Sequence, residues 1–310
     1  MCYSAQVYAE LKKYRRATGA NMSVEDYVKT FWIEKGRTPF RKRPKVPRAM
    51  EIEILRDGPA ELADYVREWD RLEMADLEQE VWKQKRRVAD AERALESKVT
   101  KKAQEDVRIG SDKMSKALAR IEALKRTEPT ASDSRMYPGY WVPVLVMEGG
   151  QLVLKPMRYQ CRLPGWTEAV ERKYPGTYNA RRDKLESAWK DLFGHQHGLI
   201  IADVFYENVN GPDGQNRVLA FTPRDRESML IACLWNQSPG QRGEPEFYSF
   251  AAITDEPEPE VSEAGHDRTI INIKPDYIAD WLNPQAGDLQ KLYRIFDDKR
   301  HPFYEHRVAA

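Results

Sequence analysis

A cysteine stands at position 2, directly after Met1. Removing one residue would leave an N-terminal cysteine, with a thiol and an α-amine on the same two-carbon unit. Their ordinary pKa values, ~8.5 and ~7.7–8.0, leave both with usable nucleophilic fractions near neutral pH. Such a 1,2-aminothiol does what an internal cysteine cannot: the amine condenses with an aldehyde to an imine, and the thiol closes a five-membered thiazolidine. The plainer alternative is that Cys2 is a small hydrophobe. Three further polar features stand out. Asn179-Ala180-Arg181 lies just before a helix expected over 182–193, which carries Leu185, Trp189 and Phe193, so Asn179 reads as an N-cap or as a site residue. Glu207 ends an apolar strand, where it is either solvated or held in an apolar pocket ready for proton transfer. His266-Asp267-Arg268 follows the acidic, proline-punctuated stretch 255–260. His195 and His197 sit one residue apart at a turn with no third metal ligand nearby, and read as surface or hydrogen-bonding residues.

Composition narrows the field. The 310 residues are 32% charged and 41% hydrophobic, with a net charge of +1, so contact with nucleic acid must come from local patches. Three cysteines without paired spacing argue against a disulfide framework or a zinc site and for a reducing cytoplasm. The polar start Met1–Gln6 is unlike a signal peptide. No apolar run approaches the ~18–20 residues that span a bilayer, so no membrane association is expected. Neither a metal nor a cofactor is expected.

The elements that would position these residues fall into three stretches. Residues 1–50 read as two short helices, one starting at Ser23 with Asp26 three residues on, followed by a loop. Within that loop 35–48 is basic and proline-rich, either a solvated linker or a phosphate-contacting segment through Arg43, Lys45 and Arg48. Over 59–126, Pro59 suits a first helical turn, and Met74, Leu77, Val81, Val88, Ala91 and Leu95 follow a heptad-like pattern with polar Gln84 in the seam. Gly110-Ser111-Asp112 interrupts it, and Met114, Leu118, Ile121 and Leu124 resume a helical face. An antiparallel hairpin with its turn between 97 and 112 is expected, because neither arm could bury its stripe alone. From Tyr137 onward strands are expected over 141–147 and 151–154 around Gly149-Gly150, then at 198–207, 228–235, 247–254 and 269–273, with a helix at 275–283. Strands with few helices between them argue for an α+β fold.

In order along the chain, Met1-Cys2, the 43–49 loop, Met157-Arg158-Tyr159 through Trp166, Asn179-Ala180-Arg181 with Glu186, the strand Leu199–Glu207, Ala232-Cys233-Leu234-Trp235, and Thr254 with His266-Asp267-Arg268 resemble the SRAP family (SOS-response-associated peptidase domain), the abasic-site-processing proteins. The strand matches the family's Ile-Pro-Ala-Asp-Gly-Phe-Tyr-Glu, and His266-Asp267-Arg268 its His-x-Arg. The resemblance covers 1–50 and 137–285 and leaves out the hairpin. The chain departs from the family at Tyr3-Ser4 in place of Gly-Arg, at Val204 in place of Gly, and at Thr269-Ile270 in place of Met-Pro.

The resemblance implies a mixed, strongly curved, barrel-like sheet with flanking helices. It implies a domain of 1–58 and 127–310 for catalysis and DNA binding, with 59–126 inserted as a hairpin for a protein partner or self-association. It also implies capture of the aldehyde of an abasic site in single-stranded DNA by Cys2 as a thiazolidine. Asn179, Glu207 and His266 would act beside Cys2, and Arg181 and Arg158 would hold flanking phosphates. Arg43, Lys45, Arg48, Trp166 and Arg268 complete the expected DNA contacts, although Trp166 also suits a core and Arg268 an internal carboxylate. A lyase step and self-removal of Met1 go with this reading. Two other readings stay open: a cysteine peptidase or N-terminal-nucleophile amidase on Cys2, and a non-enzymatic DNA-binding or phage-associated scaffold.

Overall fold

The computed structural model describes residues 4–7, 43–211, 213–239, 246–285 and 287–309. Cys2 and the helices expected before residue 43 lie outside the described residues. Two compact units emerge: 44–50 and 130–309 with the strand 4–7, and 51–129 with Arg43.

The first unit is organised by five strands that close on themselves. Strand β3 (Trp141–Glu148) turns through Gly149-Gly150 into β4 (Gln151–Tyr159). Both glycines have positive φ, +56° and +78°, the geometry of the tight hairpin turn that only glycine adopts without strain. β4 runs parallel to β9 (Phe247–Asp255), β9 antiparallel to β8 (Met229–Ser238), and β8 antiparallel to β6 (His197–Asn210). β6 returns to β3 through Leu199 and Leu145, which closes a five-stranded barrel. Closure removes most of the open edge, and the near-continuous burial of β3, β8 and β9 follows from it. The α+β class and the curved, barrel-like sheet are as expected.

β6 is fourteen residues long, and its C-terminal half outruns the barrel. There it is flanked by β1 (Ser4–Val7) on one edge and β7 (Asn216–Pro223) on the other, with Ser4 opposite Tyr206 and Leu219 opposite Glu207. β2 (Arg135–Met136) extends β1, and β11 (Tyr304–Val308) extends β7. Two short strands complete the sheet on β9: β5 (Asn179–Arg181), parallel, and β10 (Thr269–Ile270), antiparallel. Helix α1 (Arg48–Asp57) follows the extended segment at 43–47, and four later helices flank the barrel: α4 (Glu168–Lys173), α5 (Pro259–Glu263), α6 (Ile278–Leu282) and α7 (Leu289–Asp297).

The helix expected over 182–193 does not form. The segment 182–193 is a single 3-10 turn, Arg182–Lys184, followed by irregular turns. Its apolar spacing is real, since Leu185, Trp189 and Phe193 are buried. Its backbone, however, mixes i−3 and i−5 bonds, such as Leu192 N–H to Trp189 and Trp189 N–H to Lys184. Asn179 therefore caps no helix. Of the two readings of His197, surface or hydrogen-bonding, the second holds, in the core: Nε2 accepts from Gly194 N–H at 2.8 Å, Nδ1 donates to the Trp281 carbonyl at 2.8 Å, and the ring stacks on Trp281 at 3.9 Å.

In the second unit, α2 (Ala60–Ser97) and α3 (Lys101–Lys125) pair antiparallel, as the bridges Arg87–Asp106 and Arg120–Glu73 require. The turn is Lys98-Val99-Thr100, and the Thr100 hydroxyl accepts from Ala103 N–H at 3.2 Å as an N-cap. Gly110 does not interrupt the pattern. It lies inside α3 because a Cβ there would meet Val88 Cγ2 at 2.6 Å, so glycine lets the arms approach. Gln84 is buried as expected of a seam residue, while Leu77, Val81, Val88 and Leu95 are half-buried and Leu118 is exposed.

Candidate active site

Glu207 occupies the inward row of β6 with Phe205 and Val209, and it is fully buried. Phe205 fixes that row by stacking on Phe221 at 4.9 Å and meeting Tyr304 edge-on at 5.1 Å. His266 reaches Glu207 from the loop before β10. Gly265, at φ +94°, makes the turn that a side-chain-bearing residue would resist. His266 N–H then donates to the Val261 carbonyl at 3.1 Å, and Nε2 stands 3.2 Å from Glu207 Oε2. Nδ1 stands 2.9 Å from the Arg268 carbonyl and 3.3 Å from the Arg268 N–H, and the tautomer sets whether it donates to the first or accepts from the second. Burial lowers the His266 pKa, opposed by its bond to the Arg268 carbonyl. A buried imidazole and carboxyl in this close contact are groups of the kind that general acid–base work uses.

Asn179 is buried on β5, paired with Ala252 of β9, and accepts at Oδ1 from Tyr159 O–H at 3.5 Å. Two register positions further, Arg181 lies beside Thr254 of β9, and Thr254 lies beside Ile270 of β10, four residues after His266. The Thr254 hydroxyl is buried and has no hydrogen-bond partner among the described residues. Composition gives no reason to single it out; only its place in the family resemblance points to it.

The other two thiols are poor nucleophiles. Burial pushes Cys161 up to about 12 and raises Cys233 well above the ordinary thiol range.

The expected DNA-contact residues divide by what they already hold. Arg43 chelates Glu51 through two nitrogens and also bridges to Asp70 and Glu73, each at 2.6 Å, within the second unit. Burial alone would lower its pKa, but the carboxylates outweigh that and raise it. Its guanidinium thus works as an internal clamp rather than an open phosphate contact. Arg158 pairs with Glu171 and lies 4.6 Å from the Phe247 ring centre, sharing both with buried Arg162. Burial lowers the Arg158 pKa. Arg48 is buried, whereas Lys45 is exposed and anchored by its carbonyl, which accepts from Trp141 N–H at 2.8 Å. Arg181 is exposed and chelates Asp183 at 2.8 and 2.9 Å. Buried Arg268 lines a shallow cleft of about 460 Å³ with Arg182, Asp183, Glu186, Asp255 and Glu256, where carboxylates outnumber guanidiniums. A phosphate there would have to displace them. Trp166 is half-exposed and packs on Tyr174 at 5.6 Å, a surface aromatic pair rather than a core residue.

No helix among the described residues is long and apolar enough to cross a membrane. The fold is similar to that of solved structures at low sequence identity. A protein from Bordetella bronchiseptica is 20% identical, with 57% of this chain and 87% of that chain covered and a TM-score of 0.48. A protein from Bacteroides thetaiotaomicron is 12% identical, covering 57% and 77%, with a TM-score of 0.48. A phage-related protein from Bordetella bronchiseptica is 17% identical, covering 56% and 80%, with a TM-score of 0.43. Comparison with curated proteins gives no match. The profile of the SOS response associated peptidase (SRAP) family matches residues 97–309, more than half of the chain. That span includes Asn179, Glu207 and His266 but not Cys2. The chain belongs to the SRAP family, which associates it in general with the SOS response and with abasic-site-related processing of DNA.

Proposed function

We propose that this chain captures the open-chain aldehyde of an abasic site in single-stranded DNA as a covalent adduct on Cys2, in the cytoplasm. The observation that carries the reading is the buried Glu207–His266 pair, 3.2 Å apart, on the strand that pairs with the residues just after Cys2. Ser4 lies opposite Tyr206, the neighbour of Glu207. In this reading the two peptide units between Cys2 and Ser4, at most about 7 Å long, let the thiol work beside that carboxylate. The high pKa values of Cys161 and Cys233 leave Cys2 as the cysteine for the chemistry.

Removal of Met1 frees the α-amine. The closed sugar opens when its hydroxyl loses a proton and its ring oxygen gains one, a transfer suited to a buried carboxyl and imidazole in contact. The amine then adds to the aldehyde carbon, and loss of water gives an imine. Sγ adds to the imine carbon, and its proton passes to nitrogen. Aminothiol and aldehyde thus give thiazolidine and one water. Asn179 would orient the terminus or the sugar, and Arg181 would exchange Asp183 for a flanking phosphate. Self-processing at Met1 uses the same groups and accommodates the peptidase in the family name.

Intact-mass measurement with abasic single-stranded DNA tests the reading. Mature protein is expected to gain the mass of the oligonucleotide less one water, in a heat-stable form, and Cys2→Ala is expected to lose that adduct. Undiminished heat-stable crosslinking by Cys2→Ala would sink the mechanism, and peptide turnover without any adduct would favour an amidase instead.

A further inference from the structure

The two halves of the hairpin carry net charges of opposite sign. Residues 81–108, its distal half, carry nine Lys and Arg against five Asp and Glu, whereas the proximal half, residues 60–80 with 109–126, carries ten Asp and Glu against seven Lys and Arg. α2 has 38 residues. At 1.5 Å per residue it is about 57 Å long, so the two ends of the hairpin are separated by several screening lengths at physiological salt. The positive end also holds a groove of about 810 Å³ between the arms, floored by Ala91, Ala94 and Ala103 and rimmed by Trp82, Lys83, Arg86 and Lys102. The acids on this groove are already neutralised: Asp90 pairs with Arg93, and Asp106 pairs with Arg87, each at 2.5 Å. Lys83, Arg86 and Lys102 are exposed and make no ion pair among the described residues. Trp82 is 68% exposed, a large apolar area left in water on a charged helix, with Lys85 Nζ 5.8 Å from its ring centre.

We propose that this groove is a second, non-covalent contact for single-stranded DNA, with backbone phosphates on Lys83, Arg86 and Lys102 and a base stacked on Trp82. Free cations beside an exposed aromatic match what sequence-independent single-strand binders offer: a positive track for the backbone and a π-face that every base can use. The small alanine floor leaves room for the sugar–phosphate chain. An anionic membrane fits less well, because the groove offers one aromatic and no broad apolar face to insert. An acidic peptide would use the lysines but leave Trp82 without a stacking partner. The choice of DNA over other polyanions rests on the function proposed above, but the binding itself needs neither Cys2 nor an abasic site.

The test uses the full chain with Cys2→Ala, which separates binding from capture, and a labelled oligothymidylate without abasic sites. Fluorescence anisotropy is followed between about 50 and 200 mM salt. Lys83→Glu/Arg86→Glu/Lys102→Glu is expected to weaken binding at least about ten-fold at the low-salt end and to reduce the log K against log salt slope by about 2, the value for three phosphate contacts on a single strand. Trp82→Ala is expected to weaken binding about five-fold or more with little change in slope. Unchanged affinity and slope in variants that keep full helical circular dichroism would overturn the proposal. So would tighter retention of the unsubstituted protein on phosphatidylserine vesicles than on the oligonucleotide. Crosslinking of the wild-type chain to a short abasic oligonucleotide, measured in parallel, reports separately on the Cys2 reaction.

Discussion

Acidification from pH 7 to pH 5 is expected to destabilise the first unit through His197. The ring is buried, with Nε2 accepting from Gly194 N–H and Nδ1 donating to the Trp281 carbonyl. Protonating Nε2 would break the first bond and set a desolvated cation against Trp281. Burial accordingly lowers the pKa to about 3, against an ordinary value of 6.5. Because the folded pKa lies below the unfolded one, the unfolded chain binds the proton first. Stability is complete above about pH 6.5, falls as the pH drops through that value, and reaches its floor near pH 3. With one proton linked, the loss is about 1.4 kcal/mol per pH unit inside that window, or about 2 kcal/mol between pH 7 and pH 5. Urea denaturation at several pH values measures it, with His197→Gln as the control that keeps a donor and an acceptor but cannot titrate. The variant is expected to be less stable at pH 7 and to lose about 2 kcal/mol less than wild type on acidification. Equal pH dependence in both chains, or an imidazole that titrates near pH 6 by NMR in the folded protein, would refute the argument.

Glu207→Gln keeps the shape and hydrogen-bonding capacity of the side chain but not the transferable proton, so crosslinking should slow by about 10²–10⁴; a near-wild-type single-turnover rate would remove Glu207 from the chemistry. Gly110→Ala should destabilise the hairpin even though alanine is favoured in helices by about 1 kcal/mol, because its Cβ would meet Val88 at 2.6 Å. In a Val88→Ala background the same change should become stabilising, and thermal melts of the four chains decide the sign. Replacing 60–126 by a short Gly/Ser linker should leave crosslinking to a short abasic oligonucleotide largely unchanged, since loop-closure cost grows slowly with length. A soluble, folded variant that cannot crosslink would place the hairpin in the reaction.

Local physics made much of this protein legible in its sequence. The heptad-like stripe and its charged flanks are enough to demand a helical hairpin, because neither arm can bury its apolar face alone. Glycine at 149 and 150 between two apolar runs is enough to demand the β3–β4 turn. The order of Asn179, Glu207 and His266 among their neighbours carries the family resemblance. Other features depended on contacts that no local pattern records. Gly110 reads as a breaker until Val88 is seen opposite it. Arg43 and Arg158 read as open phosphate contacts until Glu51, Asp70, Glu73 and Glu171 surround them. The apolar spacing at 185–193 predicts a helix, but burial constrains side chains rather than backbone bonds, and irregular turns bury the same residues equally well. Above all, Glu207 and His266 are 59 residues apart in sequence and 3.2 Å apart in space. Their meeting is set by barrel closure, which carries β6 past the barrel end, and by the turn at Gly265, which brings the imidazole onto it. Sequence supplied the groups able to move a proton; only the closed sheet put them within reach of each other.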